Sequence, residues 1–445
     1  MTPQSDRQIW LKLTALGLVG GLTSVLLNTC ASVERIVEDP TQVATDTTNA
    51  ALSCNTLPDP LTPEEVGYAQ VAWQYFVDNY QPDTGFTNAA GNYPSGTLWD
   101  MGNYLMALNG ARWLSLIDQE EFDYRLNQFL TSLGELPLFE DALPNKVYNT
   151  ATGQMVDYAN QPSEEGLGWS ALDMGRILVA FHVIRTCHPQ YSDWLAGIVE
   201  RWHLPRSVKD GQLYGASLKP DGNALLVQEG RLGYEEYAAK GYELWGFNLP
   251  KALELQPFKM VKVNGVEIPV DTRNFAKTDA NNYVVSESYI LEAIEFGLPG
   301  NLGQYAANLL EVQKKRYQDT GKLTAVSEDN IDQAPHFLYN TVYANGIPWA
   351  VITEDNEAYP NLRTLSTKAA FGWHYLYPDD AYTQQIFAQV KNLQDSDGGG
   401  YFAGIYESNQ AVNQILTGNT NGLIIEILFY KARGNRSLIE NISEN

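Results

Sequence analysis

Six polar-glycine turns, each followed by an apolar helical stretch, recur along the chain, and this repetition restricts the fold more than any other feature of the sequence. The turns are Asp83-Thr84-Gly85-Phe86, Ala151-Thr152-Gly153-Gln154-Met155, Asp210-Gly211-Gln212-Leu213-Tyr214, Asn264-Gly265-Val266, Asp319-Thr320-Gly321-Lys322-Leu323 and Asp397-Gly398-Gly399-Gly400-Tyr401. Their glycines lie roughly 55 to 75 residues apart. A polar residue, a glycine and then an apolar residue is the local signal of a tight hairpin. Self-similarity at a regular spacing marks a repeat architecture.

The helix starts are Thr97-Leu98-Trp99-Asp100, Gly168-Trp169-Ser170, Tyr234-Glu235-Glu236, Ser286-Glu287-Ser288, Ser366-Thr367-Lys368 and Thr417-Gly418-Asn419-Thr420-Asn421. Most carry Ser, Thr, Asp or Asn, the residue types that cap helix N-termini. The bodies that follow are apolar nearly all round, which predicts burial. Segments 122–133, 191–202, 304–317 and 380–393 are amphipathic and read as outer helices with one wet face. Six buried helices inside amphipathic ones predict an all-α (α/α)6 toroid of six helical hairpins with short β-hairpin turns; a linear helical solenoid is the rival. In the ring the inner helices run parallel, so the six capped starts surround one cavity.

The ends and the charge bound the rest. Arg7 and Lys12 precede an apolar run over 13–27, the pattern of an export signal. Cys30 follows Leu27-Asn28-Thr29, which resembles a lipoprotein box with Thr29 where a smaller residue is usual. The expected division is a signal peptide or lipoprotein signal over 1–30, a polar linker over 31–57 and the toroid over 58–445. An exported protein, periplasmic or on the outer surface, follows, with membrane anchorage through the N-terminus left open; a monomer is expected. Cys54 and Cys187 could pair or stay as two thiols. The net charge of -24 repels phosphate backbones and anionic lipid heads, so nucleic acid is excluded as a partner, whereas a neutral oligo- or polysaccharide is not. With no CxxC, no HExxH, no glycine-rich phosphate loop and no GxSxG, neither a metal nor a cofactor is expected.

Glycosidic cleavage needs two carboxyl groups flanking the bond. The inner-helix starts supply Asp100, Glu235 and Glu287 as catalytic candidates, with Glu235 or Glu287 as the proton donor and Asp100 as the base. Trp99, Trp169, Tyr234, Glu236 and Trp245 are the candidate substrate-binding residues, and 26 Tyr and 10 Trp give such a cleft its stacking surface. Glu164 and Glu165 lie just before the second start. A carboxylate in the first turn also stabilises the helix dipole, by about 0.3–1 kcal/mol, without any catalysis. Asp173 and Arg176 read as an intrahelical pair, Lys240 as the partner of Glu236, Asn419 and Asn421 as caps, and His336 and His374 as packing residues.

Several stretches resemble successive signatures of one bacterial family. They include Thr97-Leu98-Trp99-Asp100, Leu143-Pro144-Asn145-Lys146-Val147-Tyr148-Asn149-Thr150 and Gly166-Leu167-Gly168-Trp169-Ser170-Ala171-Leu172-Asp173. Further on come Glu229-Gly230-Arg231-Leu232-Gly233-Tyr234-Glu235-Glu236-Tyr237-Ala238-Ala239-Lys240-Gly241, Val284-Val285-Ser286-Glu287-Ser288-Tyr289 and Ser366-Thr367-Lys368-Ala369-Ala370-Phe371-Gly372. The family is domain-of-unknown-function family 3131, and the resemblance runs from about residue 63 to 434. The architecture is similar to that of the six-hairpin glycosidases, including glucoamylase-like β-glucan hydrolases. That likeness implies a carbohydrate-active enzyme, a glycoside hydrolase acting on a cell-envelope or extracellular glucan. The alternatives are a glycan-binding or scaffold ring, and a lyase or epimerase on the same toroid.

Overall fold

Helix boundaries fall where the capping residues predict them. The computed structural model describes Cys54, residues 56–219 and residues 221–439. The expected signal over 1–30 and nearly all of the linker lie outside the described residues. Along the chain run Pro63–Asp78 (α1), Leu98–Trp113 (α2), Gln119–Glu135 (α3), Ala171–Cys187 (α4), Ser192–Arg201 (α5), Tyr234–Glu243 (α6), Glu287–Phe296 (α7), Leu302–Thr320 (α8), Thr367–Leu376 (α9), Ala381–Val390 (α10) and Gly418–Ala432 (α11). Thr97, Ser170 and Thr417 each accept a hydrogen bond from the backbone N–H three residues on, which closes α2, α4 and α11 at their N-termini.

Helices α2, α4, α6, α7, α9 and α11 pack side by side in that order, and α11 returns to α2, so the ring closes. Missing side chains let the inner helices approach closely. A Cβ on Gly175 of α4 would lie 2.6 Å from the Ala238 Cα of α6, and one on Gly372 of α9 would lie 2.5 Å from Ile290 of α7. Five of the six inner helices also meet on the ring's axis around Arg176 of α4. Its guanidinium pairs with Glu295 of α7 and with Glu426 of α11 at 2.8 Å. It also donates to Asn103 of α2 at 2.9 Å and to the Tyr237 hydroxyl of α6 at 2.6 Å. The expected Asp173–Arg176 pair is therefore replaced by a cross-ring cluster. An arginine one turn along a buried helix points at the axis, where only other inner helices can reach it.

The outer layer departs from six regular hairpins. Four outer helices, α3, α5, α8 and α10, are the amphipathic segments predicted. The layer also includes α1, which packs on α11 and joins the two ends of the ring. After α6 the outer helix shrinks to Pro250–Leu253, and an antiparallel hairpin of Phe258–Val263 with Val266–Asp271 follows. Asn264 and Gly265 both have positive φ in its two-residue turn, the conformation that favours Asn-Gly there. The turn at Gly321 is instead the left-handed C-cap of α8. An all-α description fails as well, because seven small antiparallel sheets occur among the described residues. They lie in the connections, where backbone groups outside helices must still find partners.

Cys54 and Cys187 are joined by a disulfide, with a Cα–Cα distance of 5.6 Å. Cys187 ends α4, so this bond fixes the segment before α1 to the C-terminal end of an inner helix. In the chain-entropy account, closing 133 residues stabilises the fold by about 5 kcal/mol. Replacing both cysteines with serine is expected to lower the denaturant midpoint and to steepen the transition, because the unfolded chain without the bond is less compact and exposes more surface. An unchanged midpoint would show that the bond adds no stability.

Candidate active site

The N-termini of the inner helices assemble a mouth rich in carboxyl groups. At the start of α2, Asp100 Oδ2 accepts from the Thr97 N–H and hydroxyl, both at 2.9 Å, while Oδ1 has no protein partner among the described residues. At the start of α4, Asp173 stands in the same relation to Ser170, whose hydroxyl bonds Asp173 Oδ1 at 3.1 Å. Both aspartates are half-buried. Glu229, from the segment before α6, accepts from the Ala171 N–H at 2.5 Å and so joins the same end of α4.

Burial raises the Asp100 carboxyl above its ordinary range, and the charge of Glu287 adds to the rise against the lowering by Thr97. Burial likewise pushes Asp173 up to about 7, helped by the charges of Glu229 and Asp100. Glu229 is raised by burial against the opposing effect of Lys146.

Across the mouth, α7, α9 and α11 contribute a second cluster. Glu287 Oε1 accepts from Asn419 Nδ2 at 3.0 Å, and its other oxygen is ion-paired with Lys368. Lys368 also faces Asp329 at 3.5 Å. Burial disfavours charge on Lys368, but Glu287, Asp329 and Glu328 outweigh it and hold the ammonium form well above its usual range. Burial raises Asp329 to about 6 despite Lys368. Tyr234 donates its hydroxyl to Glu328, and its ring meets that of Trp99 edge-on at 5.6 Å. Burial and the charge of Glu287 raise Glu328.

Of the predicted catalytic residues, Asp100 and Glu287 come within range of each other's charge and Glu235 does not join them. Glu235 is buried against Arg273 at 2.7 Å and Gln228 at 3.0 Å, in an ion-pair network beside the ring. Adjacent helical positions point about 100° apart, and neither glutamate of the Glu235-Glu236 pair meets Asp100 or Glu287. Glu236 accepts from the Gly233 N–H at 2.6 Å and is a buried cap, raised to about 8 by desolvation. Lys240 pairs with Glu292 of α7 rather than with Glu236.

Trp99 and Tyr234 stand at the mouth, but the other two tryptophans do not. Trp169 is 1% exposed and donates its indole N–H to the Tyr214 carbonyl, with Arg206 over its ring, so it packs structure. Trp245 lies past the C-terminal end of α6 beneath Arg185, away from the helix starts. Glu164 and Glu165 are exposed on the loop before α4. Asn419, read as a cap, instead orients Glu287.

Asp173, Glu229, Lys368, Glu328 and Asp329 were not among the predicted site residues. A register signal existed for Asp173: it follows its N-cap by three residues, as Asp100 does. Lys368 stood out as a lysine at the start of an otherwise apolar helix. Glu328 and Asp329 come from the long connection between α8 and α9, where no periodicity fixes direction.

The elevated Asp173 carboxyl has a measurable consequence. Between its ordinary value of 3.8 and about 7, the folded chain holds a proton that the unfolded chain releases. Its contribution therefore favours folding at low pH and is lost as pH rises through that window. Asp173→Asn, which keeps an acceptor for Ser170, is expected to gain stability relative to the wild type as pH rises from about 4 to 7. Thermal melts at several pH values test this; a constant Tm difference across the window would contradict the burial of the charge.

Comparison with known proteins places this geometry. Residues 67–434 match the family model described as "Protein of unknown function (DUF3131)". No match is found among curated proteins. The fold is similar to the endo-beta-1,2-glucanase of Chitinophaga pinensis in complex with sophorotriose and glucose, at 15% identity and a TM-score of 0.58, covering 83% of this chain and 94% of that one. It is similar also to the beta-1,2-glucanase of Parabacteroides distasonis, at 14% and 0.57, covering 84% and 57%. A third likeness is to the endo-beta-1,2-glucanase of Talaromyces funiculosus with sophorose, at 12% and 0.56, covering 83% and 84%. At these identities the likeness is one of fold.

Proposed function

This chain belongs to the DUF3131 family, and we propose that it is a glycoside hydrolase that cleaves a neutral glucan by a two-carboxylate mechanism. The observation that carries this is the pairing of Asp100 and Asp173. They occupy equivalent first-turn positions on adjacent inner helices, each commits oxygen to its cap, and the charge of Asp100 helps to raise Asp173. Asp173, near 7, is suited to protonate the leaving oxygen at neutral pH. Asp100 is its partner as base. This assignment differs from the sequence expectation, because Glu235 and Glu287 are each taken up by a cation.

Glu287, Lys368 and Asn419 form a fixed polar group beside the pair. Lys368 held in its charged form is unsuited to serve as a lyase base, and the carboxylates around it offset the charge that would neutralise a uronate. A neutral sugar suits the carboxylate-lined mouth, since hydroxyls can donate to those oxygens. Export is supported by the disulfide, which persists in oxidising compartments. β-1,2-Glucan is the first substrate to try, given the names of the fold neighbours.

The test is reducing-end release from β-1,2-, β-1,3-, β-1,4- and α-1,4-glucans by wild type and Asp173→Asn. Release by the wild type alone is the expected result. Binding without release from any of them would leave a glycan-binding ring instead.

A further inference from the structure

At the end of the ring away from the mouth, a cavity of about 490 Å³ opens where three inner helices finish. Gly297 is the C-cap of α7, Tyr377 is that of α9, and Tyr430 lies in the last turn of α11. Gly297 follows Glu287 by the ten residues of α7, a rise of about 15 Å, so the cavity and the mouth are separate spaces. The chain after α11 closes the remaining side. Asn435 turns it back in the left-handed conformation, and the Leu438 and Ile439 N–H groups donate to the Ile294 and Glu295 carbonyls at 3.0 and 2.8 Å. Those carbonyls belong to the last turn of α7, which has no helical N–H left for them, so this wall is pinned in place. Arg436 and Ser437 stand on it. Arg436 donates its Nε–H to the Arg433 carbonyl at 3.1 Å, and no ion pair to it occurs among the described residues. A Cβ on Gly297 would lie 3.6 Å from Ser437 Oγ, so the missing side chain keeps that corner open. Neither the Tyr377 nor the Tyr430 hydroxyl makes a hydrogen bond among the described residues. Burial raises both phenols, and Tyr377 adds to the rise at Tyr430, so both stay protonated and can donate as well as accept.

We propose that this cavity is a second ligand site, which binds a small neutral sugar of one or two pyranose units without cutting it. The lining selects that class. Tyr377, Tyr430, Ser437 and Asn435 offer donors and acceptors together, as a ligand bearing several hydroxyls requires, and Leu298 and Leu376 supply an apolar side for its C–H face. The volume lies in the lower part of the range of about 300–1,000 Å³ that small-molecule sites occupy. Arg436 is the one cation among the lining residues, and the negative ends of three helix dipoles and the net charge of -24 oppose an anion there. Neither Asp nor Glu lines the cavity, so it lacks the carboxyl pair that glycosidic cleavage needs. The site stands whether or not the mouth hydrolyses a glucan.

Hydrogen exchange of the full chain, titrated with glucose and with sophorose, tests the site and locates it at once. Saturable slowing is expected in segments 293–298 and 435–439. Tyr430→Phe and Arg436→Ala should each move the midpoint of that slowing to roughly two- to tenfold higher sugar, the worth of one hydrogen bond. Glucuronate and inorganic phosphate should act only above the concentrations at which glucose does. Slowing confined to the helix starts 97–101 and 170–174 would show that the mouth alone takes sugar and would overturn the proposal. So would midpoints that neither variant moves, or phosphate or glucuronate acting below glucose. Slowing that appears only after residues 440–445 are removed would show that the chain fills its own cavity, and would overturn it too.

Discussion

Asp173→Asn is expected to lower turnover on the preferred glucan by about 10²–10⁴-fold, the range a positioned general acid contributes. The amide retains an acceptor for Ser170, so the cap at α4 survives, and the loss should appear in kcat while the melts shift only in the pH-dependent, stabilising direction given above. Asp100→Asn should fall in the same range, since a pair acting as one unit fails when either member is removed. The pH profile gives a sharper signature. The donor must be protonated, so activity falls as pH rises through its pKa, near 7 in the free protein. Glu229 contributes a negative charge that helps hold Asp173 up. Glu229→Gln should therefore move the descending limb of kcat/KM to lower pH. Full turnover in both aspartate variants would return these carboxyls to capping duty alone, and an unmoved limb in Glu229→Gln would separate Glu229 from the donor.

Arg176→Met is expected to destabilise the fold by about 3–5 kcal/mol, among the larger effects of any single substitution here. The change leaves Glu295 and Glu426, 0% and 1% exposed, facing each other on the ring's axis without a cation. Burial and the neighbouring Glu426 already push Glu295 well above the ordinary carboxyl range, with Arg176 opposing them, so removing Arg176 drives protonation further. Replacing both glutamates with leucine in the Arg176→Met background should recover most of the loss, because a packed apolar cluster needs no counter-ion. Denaturant unfolding of the two variants measures both terms. A single variant within about 1 kcal/mol of wild type would show that water or relaxation already compensates the cluster. The same guanidinium lies 5.9 Å from the centre of the Trp99 ring, so its loss also removes a contact that supports Trp99.

The sequence by itself determined the inner ring. Apolar bodies behind Thr97, Ser170 and Thr417 can only be buried, and local capping chemistry fixes where each begins to within a residue or two. Family membership was legible too, because long motifs at those same starts carry it. The all-α label, six outer helices and the Lys240–Glu236 pair did not hold, for one reason. Periodicity reports which residues of a helix are buried, while the partner each one meets is decided by the helix packed against it. Lys240 is within reach of Glu236 along α6, yet it faces Glu292 across the interface with α7. Glu235 and Glu287 begin their helices alike, but Arg273 claims one and Lys368 the other, from segments distant in sequence. Glu328 reaches Tyr234 only because the long connection after α8 folds back as a small sheet. Carboxyl groups at helix starts are thus written in local sequence, whereas their charge partners, their burial and their pKa values belong to the closed ring.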